Sequence, residues 1–156
     1  MRTLQRPEPG TTTRPSLAGG RPVMLATLDV PFDAKAVIYA VDSVVELGER
    51  LIVANFVERA PLPLSAMLGY EDLPETPEMA ESLSEPVQLA HSLGINVTKL
   101  RVKSFHPISA MLEVVAEQNA GLFVFGPDRK RIMRLRYRLA TRAIRSSVTT
   151  LIWLPD

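Results

Sequence analysis

GLFVFGPDRKRIMRLRYRLATRAIR, residues 121–145, runs a strand, a turn and a helix together without a break. Leu122-Phe123-Val124-Phe125 is an apolar run with the length and the β-branched and aromatic character of a strand buried on both faces, as in a parallel sheet. Gly126-Pro127-Asp128 then reads as a turn, because Gly reaches backbone angles closed to other residues, Pro fixes φ and Asp bonds nearby N–H groups. A helix follows. At 100° per residue, Arg131, Arg134, Arg138, Arg142 and Arg145 fall in one stripe, with Ile132, Leu139, Ala140, Ala143 and Ile144 mostly opposite. One face is expected to dock and the other to carry positive charge.

The segments on either side repeat this alternation. Val23 to Leu28 is apolar almost throughout and reads as a first strand delivering Asp29 at its C-terminal end. Asp33 is a plausible helix N-cap, and Ala36, Val37, Ala40, Val41, Val44 and Val45 recur with helical spacing until Gly48. Leu51 to Val57 is a second buried strand, with its lone Asn55 near the end where loops gather. A long Pro-bearing stretch from Glu58 to Glu75 reads as a surface loop, anchored by Met67, Leu68 and Tyr70. Thr76-Pro77-Glu78 opens a helix that Gly94 closes, and Pro86 is expected to kink or split it. Residues 95–103 alternate with period two, the pattern of an edge strand with one wet face. Ile108, Met111, Leu112, Val115 and Ala116 form the apolar side of another helix, and residues 149–154 make a short last strand. Five strands alternating with four helical segments, without hairpin signals, predict an α/β fold with right-handed crossovers and a doubly wound parallel sheet.

Composition bounds the rest. At 156 residues the chain suits one folded domain over residues 21–156, preceded by a disordered tail over 1–20 that is too poor in large apolar side chains to offset its ordering entropy. Net charge is only +1, yet Arg129, Lys130, Arg131, Arg134, Arg136, Arg138, Arg142 and Arg145 are eight of the eighteen basic residues. Acids gather elsewhere, from Glu71 to Glu85, so a dipolar molecule is expected. The absence of cysteine excludes disulfide and thiolate chemistry, and two histidines are too few to suggest a metal site, so none is expected. His106 lacks a Ser, Cys or second His at a spacing that would make a catalytic set, and His91 reads as a partly buried core residue. No run reaches the roughly 18 apolar residues of a membrane span and no signal peptide is visible, so a cytoplasmic protein without a membrane partner is expected.

An Asp at the end of the first strand and a Gly-led loop after the fourth, followed by a helix of apolar and basic residues and a short strand, resemble the universal stress protein family. The likeness runs from about Val23 to Pro155. It implies strand order 3-2-1-4-5, of the adenine nucleotide alpha hydrolase-like type, with a ligand crevice between strands one and four. It also implies nucleotide contacts at Asp29, Val53, Gly126, Pro127, Arg129, Lys130 and Arg131, and a homodimer formed through Leu151, Ile152, Trp153 and Leu154. In nucleotide-binding members the loop reads glycine, two residues, glycine, nine residues, glycine, then serine or threonine, which lets main-chain N–H groups close on phosphate oxygens. Here only Gly126 is kept. Arg129 stands in the second place, and neither Leu139-Ala140 nor, aligned back from the last strand, Tyr137-Arg138 restores the final pair. Val30-Pro31 and Phe105-His106-Pro107 also depart from the family's small or polar residues.

Three functions stay open from the sequence. The favoured one is a non-enzymatic stress-response or signalling module that acts by dimerisation and contact with an unknown protein partner, with no cofactor and no ATP bound in the usual manner. A second is a nucleotide-binding regulator using Asp29 and the loop 126–131, slow ATP hydrolysis included. A third is an anion or nucleic-acid binder using Arg134, Arg138 and Arg142, for which Tyr137 is the only interleaved aromatic, so nucleic acid is not the expected partner. Asp29 itself has two possible roles, as acceptor for a ligand or for loop N–H groups. Trp153 can pack inside or pair with another subunit.

Overall fold

Strand residues alternate between two faces, and here both faces are apolar, so helices must cover the sheet on both sides. The computed structural model describes residues 20–59, 76–148 and 150–154. Strands β1 (Val23–Thr27), β2 (Leu51–Glu58), β3 (Val97–Ser104), β4 (Leu122–Phe125) and β5 (Leu151–Trp153) form one all-parallel sheet in the order β3-β2-β1-β4-β5. Between them run α1 (Ala34–Leu47), α2 (Pro77–Ser92), α3 (Pro107–Glu117) and α4 (Arg134–Ser147). The expected doubly wound fold and its strand order are what the chain adopts.

The core divides by strand parity. Val23, Leu25, Leu51, Val53, Leu122 and Val124 point to one face and pack against Ala36, Ala40, Val41 and Val44 of α1 and Leu83 and Ala90 of α2. Met24, Ala26, Ile52, Ala54, Phe123 and Phe125 point to the other, against Met111 and Val115 of α3 and Ala140 and Ile144 of α4. Asp33 caps α1 by accepting from the N–H groups of Lys35 and Ala36, and Gly48 ends it at φ 65°. Thr76 caps α2, and Asn119 turns the chain after α3 at φ 52°.

Several local readings change. Pro86 does not divide α2, which runs unbroken through it with Pro86 itself buried; the helix forgoes one N–H bond there. His91 is exposed, because the buried residues of α2 are Met79, Leu83, Pro86 and Ala90. Arg131 belongs to the loop before α4, which starts three residues later. Leu139, expected on the docked side of this helix, is 52% exposed, since Tyr137, Ala140, Thr141 and Ile144 set the face that meets the sheet. The expected tail before Gly20 and the anchors Met67, Leu68 and Tyr70 lie outside the described residues.

Phe123 is fully buried in the middle of the sheet, 6.5 Å from the ring of Phe125. Phe123→Ala is expected to lower the unfolding free energy by about 3–5 kcal/mol in urea denaturation, from lost transfer energy and the cavity left behind. A loss below about 1 kcal/mol would contradict this packing.

Candidate functional site

The strand order reverses between β1 and β4, so the crevice at their C-terminal ends is where a sheet of this kind offers a site. Two loops meet there, residues 28–33 after β1 and 126–133 after β4. The first begins beside β2. Asp29 takes φ 54°, a left-handed conformation that a residue with a side chain adopts at a cost, and its N–H donates to Asn55 Oδ1 at 2.8 Å. Thr27 Oγ1 donates to the Val30 carbonyl at 2.7 Å. The loop then crosses to β4. The Asp128 N–H donates to the Pro31 carbonyl at 2.8 Å, the Asp33 N–H to the Gly126 carbonyl at 2.9 Å, and Phe32 and Pro127 form an isolated antiparallel bridge. Phe32 also donates its N–H to Ser82 Oγ of α2 at 3.1 Å. The first loop is thereby laced to β2, α2 and the second loop together.

These bonds engage several of the main-chain donors that line the second loop. The N–H of Gly126 is bound to the Ala26 carbonyl, Pro127 has none, and that of Asp128 is on Pro31. The N–H of Lys130 goes to Asp128 Oδ1 at 3.0 Å, and those of Arg131 and Ile132 both go to the Asp128 carbonyl at 3.0 Å. Asp128 therefore fills the centre of this turn with its own oxygens, where an anion cradle would direct N–H groups outward.

Gly126 is required for a different reason than the sequence suggested. Its φ is not positive; instead, a Cβ placed there would lie 2.4 Å from the Ala36 Cβ and 3.2 Å from Leu25 Cδ1. The missing side chain lets the first turn of α1 settle on the end of β4.

The side chains of the second loop are also engaged. The Arg129 guanidinium lies over the Tyr137 ring at 3.7 Å from its centroid, and Tyr137 stacks on Phe125 at 5.9 Å. Arg131 pairs with Glu78 at the start of α2. That hydrogen bond, and then the charge of Arg131, hold the Glu78 carboxyl below its ordinary 4.5, while Glu78 raises Arg131 in turn. Lys130 is exposed, as are Arg134, Arg138 and Arg142 along α4, whereas Val53 is wholly covered in the α1 and α2 side of the core. The structure thus brings Asp29, Gly126, Pro127, Arg129, Lys130 and Arg131 to the two loops of the crevice and sets Val53 apart from its surface. His106 is exposed at the N-cap of α3 and makes no side-chain capping bond.

At the far edge of the sheet, Leu151 is 74% exposed, while Ile152, Trp153 and Leu154 are partly buried. Trp153 stacks on Tyr39 of α1 at 5.2 Å, so one face of β5 packs inside its own chain. Among the described residues, the outer edge of β5 has no neighbouring strand.

Two participants were hidden from the sequence. Ser82 and Glu78 reach the crevice only because α2 packs beside α1, and no local pattern marks them. Asn55 did stand out as the lone polar residue of an apolar strand. It is fully buried, and its Nδ2 has no hydrogen-bond partner among the described residues, an uncommon and costly state.

Solved structures share this fold. The universal stress protein from Archaeoglobus fulgidus in complex with dAMP superimposes with a TM-score of 0.60 at 15% identity, over 88% of this chain and 98% of that one. A universal stress protein in complex with cAMP gives 0.55 at 16% identity over 87% and 96%. The chain has the universal stress protein fold. A family protein from Burkholderia pseudomallei matches comparably, at 0.59 and 14% over 85% and 94%. No protein-family model and no curated relative matches the sequence. Within the universal stress protein fold, the crevice just described is where strand order reverses, and in this chain the two loops bordering it are bonded to each other.

Gly126→Ala is expected to destabilise the protein by about 1–3 kcal/mol, through overpacking against Ala36. Combining it with Ala36→Gly is expected to cost less than the sum of the two single changes in urea denaturation; plain additivity would refute the close approach. The Glu78–Arg131 pair contributes only while Glu78 is ionised. Since the folded-state pKa is the lowered one, its contribution is in place above the unfolded-state value and is lost as pH falls through the folded one. The difference in thermal midpoint between the parent and Arg131→Gln is therefore expected to be small, salt-sensitive and absent in acid.

Proposed function

We propose that the chain works as a non-enzymatic, cytoplasmic binding module of the stress-response type, which self-associates along β5, acts through protein contacts and does not hold ATP in a main-chain phosphate cradle. One observation carries this reading: between Gly126 and Ile132, the N–H groups of Gly126, Asp128, Lys130, Arg131 and Ile132 are bonded within the protein, and Pro127 lacks one. A triphosphate held by the N–H groups of Asp128, Lys130, Arg131 and Ile132 would have to displace these bonds. Self-association is supported by an outer strand of three residues whose backbone edge has no neighbouring strand among the described residues and whose Leu151 is exposed.

A second reading is favoured by Asn55. Its unsatisfied Nδ2 sits next to the Asp29 backbone, at the crevice floor, where a ligand acceptor would complete it. The solved complexes with dAMP and cAMP show monophosphates on this fold, and a single phosphate demands fewer N–H donors than three. Under this reading the chain is a mononucleotide-binding regulator.

Thermal unfolding with Mg²⁺-ATP and with dAMP separates the two. The first reading expects no shift with either. Nucleotide at 100 times its dissociation constant would contribute about 2.7 kcal/mol. In a domain of this size that raises the midpoint by roughly 5–10 °C. A shift of that size with ATP would overturn the first reading, and a shift with dAMP alone would establish the second. Light scattering is expected to give a dimer mass for the parent chain and a monomer mass for Leu151→Asp with unchanged circular dichroism; a monomeric parent would remove the β5 interface.

A further inference from the structure

The solvent side of α4 is not simply polar. Met133, Leu135 and Leu139 are 71%, 64% and 52% exposed, and they stand among Arg134, Arg138, Arg142 and Arg145. Leu135, Arg138, Leu139 and Arg142 follow the spacing i, i+3, i+4, i+7, which makes them one contiguous surface on the side away from Ala140 and Ile144. No acid occurs between Arg129 and Arg145, and among the described residues none lies within ion-pair reach of these four exposed arginines. Glu113 and Glu117 on neighbouring α3 are exposed as well and make no ion pair with them. The like charges along the helix repel one another, and nothing within the described chain relieves them.

We propose that this face is a docking surface for an anionic phospholipid bilayer, with Leu135, Leu139 and Met133 entering the headgroup boundary and Arg134, Arg138, Arg142 and Arg145 meeting lipid phosphates. The proposal goes beyond the reading of the crevice and of β5 and does not rest on either. Charge complementarity names an anion, and the guanidinium fork matches phosphate oxygens in pairs. Apolar side chains interleaved with these cations single out lipid among anions. Duplex or single-stranded nucleic acid offers the phosphates but gives exposed leucines nothing to enter, and the helix carries no exposed aromatic on which bases would stack.

Shape points the same way. The surface is the convex outside of a single helix, which a fluid interface can mould around, whereas a folded partner would need a matching groove. The sequence suggested no membrane partner because no segment is long enough to span one. A helix lying in the interface needs no such length, only an apolar ridge with cations beside it. That ridge became visible once the structure turned Leu139 outward.

Co-sedimentation of the full chain with phosphatidylcholine vesicles, with and without phosphatidylserine, tests this. Binding is expected to be at least about tenfold stronger with phosphatidylserine and to weaken with salt. Leu135→Ser with Leu139→Ser is expected to reduce it by about tenfold, and Arg138→Gln with Arg142→Gln by about tenfold or more, both at unchanged thermal midpoint. Should either double variant unfold, the single changes Leu135→Ser and Arg142→Gln carry the same comparison. Equal binding to neutral vesicles, or full retention in the leucine variant, would overturn the proposal. So would tighter binding to duplex DNA that ignores the leucines, which would assign the face to nucleic acid instead.

Discussion

Everything at the crevice depends on how closely α1 approaches the end of β4. Ala36, in the first turn of that helix, sits where a side chain on residue 126 would have to be, and a Cβ there would stand only 2.4 Å away. With glycine at this place, the loop entering α1 comes near enough for Asp33 to bond the Gly126 carbonyl and for Phe32 to bridge Pro127. The same loop is held on its other side by Asn55 and Ser82. Helix packing, loop conformation and the state of the crevice thus follow from one steric allowance. Overpacking at this contact would be felt by all three, because interiors pack at crystal-like density and have little slack.

A fold of this kind fixes where a crevice lies, while the loop residues fix which groups face it. Backbone topology places a crevice at the reversal of strand order whatever the loops contain, but phosphate binding needs outward-pointing N–H groups. Here Asp128 collects several of them with its carbonyl and carboxylate oxygens, and Pro127 supplies none. The cations nearby are drawn into other work. Arg129 extends the aromatic column of Phe123, Phe125 and Tyr137, and Arg131 ties the loop to α2 through Glu78. Both contacts brace the loop before α4, so positive charge that looks like a phosphate site in the sequence serves architecture at these two positions.

The remaining cations are of a different kind. Arg134, Arg138, Arg142 and Arg145 project from a helix anchored by its opposite side, and they share the surface with leucines. Packing of Tyr137, Ala140, Thr141 and Ile144 sets the rotation of the helix, and that rotation alone decides what faces out. The Arg-rich face and the β5 edge are two different kinds of surface, one formed by side chains and the other by backbone.

Much of the architecture could be read from residue order alone. Apolar runs buried on both faces, helical spacing between them and the absence of hairpin turns leave a parallel, doubly covered sheet as the economical solution, and Gly126 as the single glycine from residue 122 to residue 156 is plain from counting. Capping at Asp33 and Thr76 and the wet edge at β3 were equally legible, because each depends on neighbours within a few residues. What tertiary structure alone decided were contacts between distant segments: Gly126 against Ala36, Asn55 beneath Asp29, Glu78 beside Arg131, and the outward turn of Leu139. Local pattern reports the period of a helix or strand but only roughly its rotation. It also carries no information on which remote atom fills the space beside a glycine or accepts an N–H, and in this protein those long-range choices bond the two crevice loops to each other and turn Leu139 outward.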